Sequence, residues 1–100
     1  MLPIRQGDIL KVENLKQPVL VVSKDFFNLT EQAIVCPIVS QDPDDPLHIS
    51  FQTSKTKGTV LCEQMKLMDF HYRGFLRKDT LSFNDIVNIT DAIQSIFDYF

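Results

Sequence analysis

The sequence predicts an α+β, mainly β domain: an antiparallel sheet closed by one C-terminal helix. Three observations carry this reading. Apolar runs of strand length, separated by turn residues, fill the chain as far as residue 78. Apolar residues at helical spacing occupy the remainder. Strands come first and the helix last, rather than in alternation, which is the order of an antiparallel sheet with a packed helix.

Residues 7–13 read as the first strand and residues 18–24 as the second. The second is apolar on both faces, as a central strand is. Only Asn14 to Gln17 separate them, which suits a hairpin. Asp25 to Thr30 fit a short helical turn. Residues 33–40 read as a third strand, with Pro37 marking an edge or a bulge because it cannot donate to a ladder. Gln41 to Pro46 is a loop rich in Asp and Pro. Leu47, Ile49 and Phe51 then alternate with His48, Ser50 and Gln52, the pattern of a half-buried strand.

Residues 58–67 read as one further strand. Strict alternation places Glu63 on a face with Leu61, Met65 and Leu67, and Gln64 and Lys66 on the other face with Val60 and Cys62. A carboxylate among apolar neighbours is costly unless it is paired. Glu63 therefore needs a partner or a purpose. Gly74 to Lys78 make a short strand. Ser82 is a good N-cap for the last helix, with Asp85 three residues on. Leu81 and Ile86 are spaced as a hydrophobic staple. Phe83, Ile86, Val87, Ile93, Ile96 and Phe97 define the expected buried stripe.

One hundred residues, 1–100, make one domain. Apolar residues reach 44% and charged residues 23%, ordinary for a globular chain. The net charge of -3 argues against a dedicated nucleic-acid binder, whose balance is usually basic. The positive charges are nevertheless concentrated: Lys55, Lys57, Lys66, Arg73, Arg77 and Lys78 lie in one third of the chain. Cys36 and Cys62 sit in apolar runs without zinc-site spacing and read as buried, reduced thiols. No apolar run approaches the ~20 residues of a membrane span, and no secretory signal is evident before Gly7. The expected location is cytoplasmic.

Other residues invite a functional and a structural reading side by side. His48, on the polar face of its strand, reads as solvated. Phe70 and Tyr72 interleave with His71 and Arg73, as in single-stranded nucleic-acid sites, yet a packed turn is the favoured reading. Phe97, Tyr99 and Phe100 crowd the chain terminus, where a partner or a second copy would cover them.

Gly7-Asp8-Ile9, Pro18-Val19-Leu20-Val21-Val22-Ser23, Asn28, Pro37-Ile38 with Ser40, and Glu63-Gln64 follow one another at a characteristic spacing. This order resembles the MazF/PemK/Kid toxins of bacterial type II toxin–antitoxin pairs. The resemblance covers nearly the whole chain, from Gly7 to the last helix. It implies a small, strongly bent antiparallel sheet, an SH3-like barrel with a C-terminal helix, used as a homodimer. It also implies sequence-specific, metal-independent cleavage of single-stranded mRNA, and an antitoxin partner. Neither a metal nor another cofactor is implied. On this resemblance Glu63 is the general base and Lys66 the charge at the phosphorane. Lys16, Gln17, Ser40, Gln41, Gln64 and Arg73 are the RNA-binding residues.

The departures from the family pattern fall on the chemistry. The Arg before Pro is Gln17, and the Thr after Pro-Ile is Val39. The Arg and Thr of the Gln-x-Arg-Thr segment are Lys66 and Leu67. The Arg that the Kid branch places two residues before the acid is Leu61. A neutral Gln17 cannot replace a guanidinium that grips phosphate bidentately. Losing one such donor typically costs on the order of 10²–10³ in rate. A second function class follows: a catalytically inactive binding module on the same scaffold, meeting an antitoxin or, as the weaker alternative, DNA gyrase in the manner of CcdB.

Overall fold

A computed structural model describes residues 3–40, 42, 43 and 45–97. Among these residues the strands are β1 (Asp8–Val12), β2 (Val19–Val21), β3 (Gln32–Val39), β4 (His48–Gln52), β5 (Lys57–Leu61), β6 (Lys66–Asp69) and β7 (Phe75–Thr80). The helices are α1 (Asp25–Asn28) and α2 (Phe83–Phe97). The strands form one antiparallel sheet in the order β4-β5-β3-β2-β1-β7, with β6 paired to β3.

The sheet curls because β3 has two successive neighbours on one side. β6 runs beside Gln32–Val35, and β5 beside Ile38 and Val39. The curl brings the two ends of the strand order together. Thr53, just after β4, donates its hydroxyl to the Asp79 carboxylate in β7. β7 is itself bulged against β1, the register shifting between Ile9 and Leu10, and a bulge increases local twist.

Alternation gives the central strands two buried faces. Ile9, Leu20, Cys36 and Ile38 join a core with Phe51, Val60, Leu81 and Ile89 under α2. Leu10, Val12, Val19, Val21, Ala33 and Val35 join a second core with Ile4, Met68 and Phe70. Residues that match the family motifs hold this scaffold together. Asp8 is buried and receives Arg77 at 3.0 Å and the Thr80 hydroxyl at 3.1 Å. Ser23 donates to Asn28 Oδ1 at 2.5 Å and accepts from the Ile34 N–H at 3.0 Å, fixing α1 between β2 and β3. Gly7 has φ +93°, and an added Cβ would lie 2.4 Å from Ile86 Cδ1 of α2. The positive φ is what calls for glycine; the Ile86 side-chain tip could shift aside.

Three expectations are corrected. Residues 58–67 are not one strand: the chain turns at Cys62–Met65 between β5 and β6. Glu63 is therefore exposed on a turn, not set in an apolar face. Pro37 is at neither an edge nor a bulge, because β3 is central. Ile38 donates to Pro18 on the β2 side, so the Pro37 nitrogen points to the opposite side. There β6 has ended at Lys66 and β5 has not begun, and no donor is required. The helix stripe is also narrower than expected. Ile89, with Ile86 and Ile93, faces the core, whereas Phe83 is 77% and Phe97 69% exposed. With Ala92, these isoleucines make four residues at i, i+3, i+6 and i+7, enough for so small a contact. The Ser82 cap is present, its hydroxyl accepting from the Asp85 N–H at 3.2 Å.

Cys36 and Cys62 are free, buried thiols. Burial, first of all, pushes Cys36 up to about 12 and Cys62 to about 11. Among the described residues no helix is long and apolar enough to cross a membrane.

Candidate functional site

The β1–β2 loop and the turn after β5 enclose a groove of about 660 Å³. Its floor is Val19, Val35 and Pro37. Lys16 and Gln17 stand on one rim; Gln64 and Lys66 stand on the other. Four residues singled out from the sequence thus converge, from segments far apart in the chain. Strict alternation misplaced Lys66 relative to Leu61. Five residues along a single strand they would face opposite ways, but the Cys62–Met65 turn resets the parity. Lys66 pairs with Val35, and Leu61 falls next in register to Pro37. Val35 and Pro37 are two apart in β3, so all four share one face.

That face continues to His48. Val19 pairs with Pro37, Leu61 is next in register to Pro37, and Leu61 pairs with His48. This cross-strand row puts the His48 backbone about 10 Å from that of Pro37, two strand spacings away. His48 is not solvated as expected. Its side chain is 20% exposed, with Nε2 at 3.0 Å from both Glu63 carboxylate oxygens. On the other side of the ring, Nδ1 lies 3.1 Å from Asp45 Oδ2 and 3.6 Å from Asp42 Oδ1. Nδ1 is sealed from solvent and is not aligned for a hydrogen bond.

The electrostatics follow from these contacts. The hydrogen bond to Glu63, then the Asp45 charge, raises His48 above its ordinary 6.5 against the opposing effect of desolvation. The hydrogen bond from His48, then one from its own backbone, holds Glu63 below its ordinary 4.5. Both groups are favoured in their charged forms. Sequence reasoning did not assign His48 to the site because Glu63 becomes its neighbour only through β4–β5 pairing. The usable signal was the Asp-rich loop immediately before it.

The other singled-out residues lie apart. Ser40 lines a separate hollow with Asp42, Ser50, Lys57 and Thr59. Arg73 lines another with Glu13, Asn14, Asp69 and Tyr72. Gln41 lies outside the described residues, as do Asp98, Tyr99 and Phe100, on which the gyrase reading rests. Phe70 is buried and packs edge-to-face on Phe75 at 5.2 Å, while Tyr72 is 98% exposed. Of the four interleaved residues only Phe70 is packed; His71, Tyr72 and Arg73 are exposed. His71 caps the turn, with Nδ1 at 2.6 Å from Asp69 and Nε2 at 3.0 Å from Glu31.

A curled antiparallel sheet with a terminal helix, carrying a polar-rimmed groove beside a carboxylate–histidine pair, defines the scaffold class. The chain belongs to the PemK-like, MazF-like toxins of type II toxin–antitoxin systems, whose family profile matches residues 5–97. Among curated proteins none matches the chain. Among solved structures it is similar to MazF in a MazE–MazF crystal structure from Deinococcus radiodurans, at 18% identity and TM-score 0.86, covering 97% of this chain and 98% of that one. It is similar also to a mycobacterial endoribonuclease in complex with its cognate antitoxin, at 16% identity and TM-score 0.81, covering 96% and 95%. A third similarity is to the Mycobacterium tuberculosis toxin MazF-mt6, at 15% identity and TM-score 0.71, covering 91% and 99%. At these identities the likeness is one of fold.

Proposed function

We propose that this chain is the toxin of a type II toxin–antitoxin pair and a metal-independent endoribonuclease acting on single-stranded RNA in the cytoplasm, as a homodimer. One observation carries the reading: Lys16, Gln17, Gln64 and Lys66 converge on one groove, with Glu63 on the turn that forms its rim. Lys16 and Lys66 offer point charges to successive phosphates, and Gln17 and Gln64 offer amides to base edges or phosphate. Glu63 is the base for the 2′-hydroxyl, and Lys66 stabilises the charge that develops on phosphorus. Ser40 and Arg73 lie outside this groove and would contact RNA only beyond the cleaved bond.

An antitoxin segment is the proposed protein partner. The endoribonuclease with its cognate antitoxin, and MazF with MazE, supply the precedent in chains of this fold. The test of activity is a cleavage map on a long RNA with EDTA present. Discrete cuts are expected; an intact RNA would defeat the reading.

Gln17 favours a second reading. It occupies the groove where the family resemblance implies an Arg, so the groove holds less charge for a phosphorane. A chain that leaves RNA intact but binds an antitoxin peptide, or inhibits gyrase, would be a binding module on the same scaffold.

A further inference from the structure

We propose that His48 and Glu63 form one acid–base pair on the RNA phosphodiester, Glu63 accepting the 2′-hydroxyl proton and His48 protonating the departing 5′-oxygen. The inference rests on the ribonuclease reading above. It assigns to His48 the acid that the reading lacks.

Cleavage without metal needs a base and an acid in opposite protonation states at one pH. The pair supplies both. Nε2 of His48 lies 3.0 Å from each oxygen of Glu63, so the carboxylate and the imidazolium stabilise each other. The groups facing His48 are Glu63 from the turn after β5, and Asp45 and Asp42 from the loop before β4; all are acidic. The groups bearing on Glu63 are His48 and Gln64. Nδ1 faces Asp45 at 3.1 Å and is sealed from solvent, which leaves Nε2 as the nitrogen presented to the turn. In-line displacement sets base and acid on opposite sides of phosphorus, so the proposal requires the Glu63 side chain to rotate off Nε2; Glu63 is exposed, on the turn after β5. Lys66 stands on the same sheet face but off the row Pro37–Leu61–His48, opposite Val35, two residues along β3 from Pro37.

The step balances within the pair. Glu63 takes the 2′-hydroxyl proton as the 2′-oxygen bonds to phosphorus. The bond from phosphorus to the 5′-oxygen breaks, and its electron pair takes the Nε2 proton of His48. The products are a 2′,3′-cyclic phosphate and a 5′-hydroxyl. Glu63 is left protonated and His48 neutral. Proton transfer across their own hydrogen bond then restores the starting state, with no further reactant.

The test is single-turnover cleavage of a mapped RNA, with EDTA, over a wide pH range, by wild type, His48→Gln and Asp45→Asn. Wild type is expected to lose rate on the alkaline side at a pH above 6.5, where His48 gives up its proton. His48→Gln is expected to lose on the order of 10²–10⁴ in rate. It should also lose that alkaline limb, and its acid limb should move up toward 4.5 as Glu63 is released. Asp45→Asn should shift the alkaline limb downward. A His48→Gln chain with the wild-type rate, or with a lower rate but an unmoved alkaline limb, overturns the pair. A wild type that cuts nothing defeats the ribonuclease reading and the pair with it; a cutting wild type with an unaffected His48→Gln defeats the pair alone. Should His48→Gln not fold, histidine NMR of wild type with a 2′-deoxy oligonucleotide serves instead. Ring signals of His48 should shift and those of His71 should not; an unperturbed His48 overturns the proposal.

Discussion

The Thr53 hydroxyl donates to the Asp79 carboxylate and so joins opposite ends of the strand order, with the Thr56 side chain a further hydrogen-bond partner of Asp79. Thr53 directly follows β4, and Asp79 lies in β7. Thr53 is also the first cause of the lowered Asp79 ionisation. Thr53→Val keeps the shape and removes the donor, and with it the acceptor of the Lys55 and Thr56 N–H groups. The expected loss is about 1–2 kcal/mol, as for a hydrogen bond to a charged but partly solvated acceptor. Urea unfolding of the variant checks it; an unchanged midpoint would show that the sheet needs no closure there.

Asp8 makes a second link, with a larger expected effect. It is 2% exposed, and Arg77 supplies its counter-charge at 3.0 Å while donating to the Pro3 carbonyl at 2.7 Å. Removing one partner of a buried pair typically costs about 3–5 kcal/mol. The Arg5 N–H and the Thr80 hydroxyl still hold Asp8 in an Arg77→Ala chain, and Arg77 is itself partly exposed, which places the expected loss at or below the floor of that range, about 2–3 kcal/mol. Thermal and urea unfolding of Arg77→Ala and Thr80→Val measure the two shares.

Two histidines make stability fall in alkali. His48 is raised above 6.5 chiefly by Glu63, and His71 chiefly by Asp69. Their contribution is complete below 6.5 and is lost as pH rises through the higher folded values. Glu63 and Asp69 are held below 4.5 and 3.8, so their contribution is present above those values and is lost as pH falls through the lower folded ones. The melting temperature is expected to be highest between these limits. The alkaline decline should flatten in a His48→Gln, His71→Gln double variant; a decline of the same size there would contradict the assignment.

The thiols should be inert while the chain is folded. Cys36 and Cys62 are buried, and their ionisation is pushed up to about 12 and about 11. The thiolate is the reactive form. Iodoacetamide at neutral pH is expected to leave both unmodified in native protein and to alkylate both in denaturant. Rapid labelling of native protein would show that the core opens.

What was legible in the sequence follows from where the physics is local. Apolar runs of strand length, alternation at β4 and the 3.6-residue period of α2 marked β1 to β4, β7 and α2, because each depends on neighbouring residues alone. The Cys62–Met65 turn was not legible: it carries no Gly or Pro and lies within an apolar run. Missing it placed Lys66 and Leu61 on opposite faces and Glu63 on an apolar one. Pro37 was misread for a related reason, since an unneeded donor in a central strand depends on where two other strands begin and end. The motif residues Gly7, Asp8, Ser23 and Asn28 hold the scaffold, which is why they identified the fold better than the site. His48 needed β4–β5 pairing to meet Glu63, and no spacing in the sequence encodes that.

The central claim is that this groove cuts RNA with Glu63 and Lys66. Single-turnover cleavage of a mapped single-stranded RNA, with EDTA present, compares wild type with Glu63→Ala and Lys66→Ala. Wild type is expected to yield 2′,3′-cyclic phosphate ends, and each variant to lose on the order of 10²-fold or more in rate. Equal rates in all three proteins, or no cutting by wild type, would contradict the account.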